Sequence, residues 1–151
     1  MALQIAAARE IVAASVTVAA PAIAVAQGIA ANMESLDQSV SRDNGIVDYC
    51  RLHDITLQAW SPVQAGFFTG SFLGSPDYAE LNAVIDRLAA EYAVTPTAIA
   101  IAWITRHPAR MQVVLGTTTP QRVADSAAGS DIPLTRAQWY ELFRAAGYVV
   151  P

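Results

Sequence analysis

The chain contains no lysine, since all nine of its basic residues are arginines. This absence excludes Schiff-base chemistry and any active site that requires an ammonium group. Cysteine occurs once, at Cys50, so no disulfide can form within the chain. The histidines His53 and His107 lie far apart in the sequence, which argues against a zinc site.

Charged side chains are also scarce. They make up 15% of the 151 residues, and the net charge is −4. Nucleic acid is therefore excluded as a partner, because its phosphates are bound by surplus basic residues. A membrane span is not predicted either, since the apolar stretches are interrupted by proline and fall short of the ~20 residues that a span needs. With 54% hydrophobic residues, the chain has the composition and length of one folded domain.

The first thirty residues differ from the rest, because Arg9 and Glu10 are their only charged residues. We therefore divide the chain into an apolar segment, 1–30, and a main body, 31–151. One interpretation is a signal peptide with its core at 11–20 and small residues for cleavage at 24–26, which makes the protein exported. The other is a buried strand and helix of a cytoplasmic protein. The pairing of Arg9 with Glu10 favours the second, since signal peptides carry a positive excess there.

Hydrophobic periodicity and turn residues predict two strands separated by helices. This order predicts parallel strands joined by helical crossovers, with Trp103 and Trp139 in the core. In chain order the predicted elements are a helix at Ile46–Leu52, a strand at 55–60, a long loop at 63–77, a helix around 81–88, a helix at 99–104, a strand at 111–115 and a helix opened by Thr135 with Gln138 and closed by Gly147.

Residues 116–122 combine a strand end, a helix start and a fixed cation. Gly116 ends the apolar run, and Thr119 followed by Pro120 predicts a helix whose first backbone N–H groups are capped by the threonine hydroxyl. Arg122 then lies in the first turn. Free N–H groups and an arginine at a helix N-terminus attract phosphate. The alternative is an ordinary strand-to-helix loop with a solvated arginine.

Several segments together resemble the C-terminal part of an aldo-keto reductase. They are 48–51 (DYCR), 54–62 (DITLQAWSP), 96–103 (PTAIAIAW), 107–109 (HPA) and 115–120 (LGTTTP), in the order and spacing of that family, and the likeness runs from about residue 28 to 151. It implies an α/β fold, a partial (β/α)8 TIM barrel with strand seven at 55–60 and strand eight at 111–115. The resemblance leaves open whether a degenerate strand six precedes these two strands. The site of such a barrel lies at the C-terminal ends of its strands.

The same resemblance implies NADPH as the cofactor. Thr117 and Arg122 match positions that hold its 2′-phosphate, with Gly116 and Thr118 beside them. An arginine gains most from the extra dianionic group that distinguishes NADPH from NADH. The other matching positions are Trp60, Ser61, Pro62 and Gly66 at the pyrophosphate, and Asp125 and Ser126 near the adenine.

The catalytic Asp, Tyr, Lys and His of this family have no counterpart in the chain. Neither histidine stands in the matching context, and lysine is absent. We therefore predict no catalytic residue and no metal ligand, and an oxidoreductase-like chain that is inactive alone. Two alternatives stay open: a non-catalytic nucleotide-binding or assembly module that pairs with itself or with a complementary barrel half through unpaired strand edges, and a small exported protein.

Overall fold

The computed structural model describes residues 23–27, 46–66 and 70–148. In the described ranges, three strands form a parallel sheet, one more than the two predicted from periodicity, and helices lie between them along the chain, as predicted. The elements are β1 (Ile23–Gln27), α1 (Ile46–Leu52), β2 (Thr56–Trp60), β3 (Gln64–Gly66), β4 (Gly70–Ser71), a 3₁₀ turn (Pro76–Tyr78), α2 (Ala79–Tyr92), α3 (Pro96–Thr105), β5 (Gln112–Val114), α4 (Pro120–Ala128), a second 3₁₀ turn (Gly129–Asp131) and α5 (Arg136–Ala145).

The sheet has the order β1-β2-β5. Gln58 of β2 is the register partner of Gln112, and Trp60 that of Val114. Both strands are shorter than predicted, most clearly β5, which is preceded by Arg110 in the left-handed region at a φ of 54°. Arg110 lies just before the predicted range 111–115, so its conformation marks where the extended chain begins, and Met111 and Leu115 are the two predicted residues that fall outside the strand.

β1 lies within the apolar segment 1–30 and pairs in parallel with β2 over its whole length, Ile23 opposite Thr56 and Gln27 opposite Trp60. Residues 24–26, proposed above as a cleavage site, thus form part of the sheet backbone. The suggested signal core at 11–20 lies outside the described residues.

The predicted loop at 63–77 is partly wrong, because it contains the antiparallel hairpin β3–β4 and the start of the first 3₁₀ turn. The backbone N–H of Phe72 donates to the Val63 carbonyl at 3.1 Å, and the Phe72 ring is fully buried. Glycine-rich composition concealed this hairpin, since period-two alternation is lost where Gly70 and Gly74 adopt positive φ.

The largest core cluster lies between α2, α3 and α5. Leu81, Ile85 and Leu88 repeat along α2 and are buried there, as their helical spacing predicts. The capping box of α5 is formed as predicted: the Thr135 hydroxyl accepts from the Gln138 N–H, and the Gln138 side chain accepts from the Thr135 N–H. Gly147, at a φ of 88°, follows the helix end.

Trp103 and Trp139 join α3 to α5. Their rings stack in parallel with centroids 4.7 Å apart. Each indole N–H donates to the backbone carbonyl of the other residue, at 3.1 Å from Trp103 and 2.9 Å from Trp139. Both tryptophans are therefore structural, as predicted, because their polar atoms are used to hold the two helices together.

Within the described ranges, no individual helix has the length and apolar character needed to cross a membrane. The first 3₁₀ turn with α2, taken together with α3, meets that requirement by length and composition alone, and the two parts meet at a bend of 95°.

Candidate functional site

A cavity of about 490 Å³ opens beyond the C-terminal ends of β2 and β5. Its position follows from the parallel sheet, because parallel strands bring their following loops to the same edge. One wall is the β3–β4 hairpin, with Gln64, Ser71 and Leu73, and the opposite wall is α4 with the loop before it.

Six of the residues predicted to bind cofactor line this cavity: Ser61, Pro62, Gly116, Thr117, Arg122 and Ser126. They come from two separate parts of the chain, the loop after β2 and the segment formed by the loop after β5 and α4. The other predicted residues, Trp60, Gly66, Thr118 and Asp125, are not among its lining. The Asp125 carboxylate instead accepts a 2.8 Å hydrogen bond from the Gln121 side chain on the same helix.

Ser61 follows β2 directly and has a φ of 50°. This left-handed conformation costs a residue with a Cβ roughly 1–2 kcal/mol, and such strain tends to occur at functional sites. The Ser61 carbonyl accepts from the Gln64 N–H at 3.1 Å, so the strained residue begins a tight turn into the hairpin. The turn brings the serine to the mouth of the cavity.

The predicted cap of α4 is wrong in its detail. Thr119 precedes the helix as expected, but its side chain makes no capping hydrogen bond. The neighbouring Thr117 hydroxyl accepts from the Thr119 N–H at 3.2 Å instead. Within the described residues, no partner is recorded for the N–H groups of Gln121 and Arg122. The first turn therefore presents free donors beside the cavity.

Arg122 is the basic residue of the cavity lining, and no acidic side chain is found among the described residues that line it. Its side chain is exposed. The Arg122 carbonyl accepts a 2.7 Å hydrogen bond from the buried Ser126 hydroxyl, one turn further along α4. Because Asp125, the carboxylate of α4, lies outside the lining, the guanidinium and the helix N-terminus give this wall a positive potential.

Sequence reasoning missed three polar residues of the lining: Gln64, Ser71 and Thr97. Thr97 is the second residue of α3, whose start is capped by Thr95 accepting from the Ala98 N–H at 3.3 Å. The Thr95-Pro96 start could have revealed Thr97, because it matches the start of α4. Gln64 and Ser71 carry no comparable signal, since their position depends on the hairpin.

The remaining reactive side chains lie away from this cavity. Cys50 is fully buried against Leu57 and Ala109, and burial raises the pKa of its thiol. His107 accepts a 3.1 Å hydrogen bond from the Ala109 N–H at Nδ1, which suits a structural role. No cluster of three or more metal-ligating side chains occurs in the part of the chain that the structure describes.

The sequence model described as "Aldo/keto reductase family" matches residues 14–145. The chain belongs to the aldo/keto reductase family. The match begins before residue 28, where the resemblance read from the sequence began. This family places the cavity in a (β/α)8 barrel fold, although the described sheet has three parallel strands.

Among aldo/keto reductases, the chain is 35% identical to a 6-dehydroglucose reductase of Agrobacterium fabrum, with 68% of this chain and 33% of that protein covered. It is 28% identical to an NADH-specific methylglyoxal reductase of Escherichia coli, covering 72% and 38% of the two proteins. A Klebsiella pneumoniae aldo-keto reductase solved with NADPH superposes with a TM-score of 0.57 at 22% identity, covering 78% of this chain and 37% of the other. The chain thus spans about a third of the length of these relatives.

Proposed function

We propose that this chain is the C-terminal part of an NADPH-dependent carbonyl reductase and that its cavity holds the adenosine-phosphate end of the cofactor. The observation that carries the proposal is the position of Arg122, beside free helix N–H groups in a cavity lined by hydroxyls and without a described acidic residue. When bound, NADPH supplies the hydride that reduces an aldehyde or ketone.

The 2′-phosphate fits the wall formed by Arg122 and Thr117. Because the Thr117 oxygen accepts from the Thr119 N–H, its own hydrogen is free to be donated to a phosphate oxygen. The guanidinium adds charge-assisted hydrogen bonds, which are about twice as strong as neutral ones. Gly116 brings the backbone to the cavity without a side chain, and a Cβ built there meets nothing within 4 Å.

The adenine fits next to Ser126, one helical turn further along α4. The Ser126 hydroxyl donates its hydrogen to the Arg122 carbonyl, so its oxygen is left to accept. The exocyclic amino group of adenine is a donor. The proposed order along α4 is therefore phosphate at Arg122 and base at Ser126.

The pyrophosphate is assigned to the loop after β2, where Ser61 and Pro62 line the cavity. Trp60, Gly66, Thr118 and Asp125 lie outside that lining, so their part in binding cofactor stays a prediction from the family resemblance. The chain lacks the catalytic Asp, Tyr, Lys and His, and we propose that it does not reduce carbonyls by itself. The substrate-reducing part of the site belongs to the two thirds of the relatives that the chain does not cover.

Cofactor choice tests this assignment, because the family includes a reductase named as NADH-specific and another solved with NADPH. We would titrate the full chain with NADPH and with NADH, and repeat both titrations with Arg122→Gln. Loss of charge-assisted bonds worth about 1.5–3 kcal/mol predicts that the variant binds NADPH roughly ten- to a hundredfold more weakly and NADH unchanged.

The matched control is Arg144→Gln, an exposed arginine on α5 that does not line the cavity. It is expected to leave both affinities unchanged. The assignment is wrong if the unmodified chain binds neither nucleotide, or if it binds both equally and Arg122→Gln changes nothing. Oxidation of NADPH by an aldehyde above a no-protein control would contradict the proposed inactivity.

A second proposal concerns partners, and the exposed outer strand β5 favours it. Val114 is 42% exposed, although parallel strands are normally buried on both faces. A groove of about 380 Å³ lies beside β5, lined in part by Ile101, Met111 and Val113. We infer that another polypeptide, either a second copy or a complementary part of a barrel, adds a strand at this edge.

A further inference from the structure

Asn82 is a polar residue in the first turns of α2 that is 9% exposed. Its side-chain nitrogen Nδ2 shares its two hydrogens among three backbone carbonyls, those of Phe72 at 2.8 Å, Ser75 at 3.1 Å and Tyr78 at 3.1 Å. Its Oδ1 accepts from the Gly74 N–H at 3.0 Å. One amide group therefore fixes the whole segment that connects the hairpin to α2.

This role requires a neutral amide. An aspartate of the same size would turn carboxylate oxygens toward three carbonyl oxygens, and a leucine would leave the carbonyls and the Gly74 N–H without their partner. A buried group orphaned in this way costs about 1–3 kcal/mol. Gly74 in this segment adopts a φ of 75°, a backbone conformation that residues with a Cβ rarely take.

The segment held by Asn82 continues into a wall of the candidate site. Ser71 and Leu73 line the cavity, while Phe72 between them is fully buried on the core side. The Phe72 carbonyl is one of the acceptors of Asn82. The Asn82 amide therefore binds the backbone of residues 71–73 on the side that faces the core, while Ser71 and Leu73 face the cavity on the other side.

We propose that Asn82 is a positioning residue for the cofactor: it does not touch the ligand but sets the place of the Ser71–Leu73 wall opposite Arg122. The proposal rests on the nucleotide site described above. It predicts that loss of the Asn82 amide loosens this wall in the free chain and weakens nucleotide binding even where the protein stays folded.

The experiment compares Asn82→Ala with Leu142→Ala in the full chain. Leu142 is a buried residue of α5 in the core cluster that also contains Phe72, so its truncation lowers stability without removing a hydrogen bond of Asn82. Hydrogen exchange of the ligand-free proteins is measured first. The amides of residues 72–75 are expected to exchange at least about tenfold faster in Asn82→Ala than in Leu142→Ala. The NADPH affinity of Asn82→Ala should be about tenfold lower than that of Leu142→Ala.

Asn82→Gln provides a milder variant if Asn82→Ala does not fold, because it keeps an uncharged amide but displaces it from the three carbonyls and the Gly74 N–H by one methylene. It should also accelerate exchange at residues 72–75. Equal exchange at these amides in the Asn82 variants and in Leu142→Ala would overturn the proposal, and so would an NADPH affinity that follows stability alone. Failure of the nucleotide site itself shows separately, as absence of NADPH binding by the unmodified chain.

Discussion

His107 is a half-buried side chain at the end of α3 whose neutral form is built into the fold. The Ala109 N–H donates to Nδ1 at 3.1 Å, which requires that nitrogen to be unprotonated. Burial, and after it the positive charge of Arg51, lower the pKa of His107, while Asp48 acts in the opposite direction. The hydrogen bond and the lowered pKa point the same way: protonation opposes the folded state.

This gives a prediction with a defined sign. The unfolded chain binds a proton at the ordinary histidine pKa of 6.5 and the folded chain only at lower pH. The contribution of His107 to the free energy of unfolding is therefore fully present above pH 6.5. It falls as the pH drops from 6.5 through the lowered pKa. Urea unfolding at several pH values in this range measures the effect. The free energy of unfolding should fall with pH in the unmodified chain and fall less in His107→Gln.

His53→Gln is the matched control, since His53 is exposed at the end of α1. We expect the free energy of unfolding of this variant to depend on pH as it does in the unmodified chain. An identical pH dependence in His107→Gln and the unmodified chain would show that protonation elsewhere causes the loss.

At the scale of elements, Gly129 sets how closely the turn after α4 approaches α3. A Cβ placed on this buried glycine would collide with the backbone carbonyl of Ala98 and lie 2.8 Å from the Cβ of Ile101. Its φ is −62°, so close approach and not backbone conformation selects the glycine. This contact fixes α4, which carries Arg122, against α3, which carries Thr97.

Gly129→Ala is therefore expected to destabilise the protein by about 1–3 kcal/mol, because a backbone carbonyl cannot move aside as a flexible side chain can. Thermal unfolding measures the loss. Gly116→Ala is the control, since its Cβ would meet nothing within 4 Å, and it should stay within about 0.5 kcal/mol of the unmodified chain. Equal melting temperatures of the two variants would mean that α3 and α4 can move apart to admit the Cβ with little loss of free energy.

Elements with a local signal could be predicted from sequence. The bounds of α1 were predicted as Ile46–Leu52, and the box at Thr135 and Gln138 forms as expected. The helix α1 and the capping box depend on interactions between residues that lie within one or two helical turns of each other in the sequence. The hairpin could not be predicted, because its strands are held by a buried Phe72 and by Asn82, which lies on another element.

The site divides in the same way. The grouping of Gly116, Thr117 and Arg122 at one cavity could be predicted because a strand end, a proline and an arginine follow one another closely in sequence, while their binding of cofactor stays a prediction. The capping role of Thr119 was predicted wrongly, because its side chain makes no capping hydrogen bond and its own N–H donates to the Thr117 hydroxyl. Gln64 and Ser71 reach the cavity only through the packing of the hairpin, which no local sequence pattern predicts.

At the scale of the whole molecule, β5 is the outer strand among the described residues of the sheet, Val114 is exposed on it, and the chain spans about a third of the length of its relatives. The cytoplasmic location and the boundary between 1–30 and 31–151 stay predictions. The open edge, in contrast, has a direct consequence in solution. A parallel strand added beside β5 would bury Val114 and the apolar side of the neighbouring groove, which favours association by roughly 25 cal/mol per Å² of apolar surface.

We therefore predict that the unmodified chain associates with itself when no complementary barrel part is present, and that Val114→Arg abolishes this association. A buried guanidinium without a partner is too costly for the new strand to pack over it. Sedimentation velocity at increasing concentration measures the effect. Val123→Arg is the control, because Val123 is similarly exposed, at 40%, but lies on α4. A folded monomer at all concentrations, or equal loss of association in both variants, would exclude β5 as the contact between copies and leave a complementary barrel part as its partner.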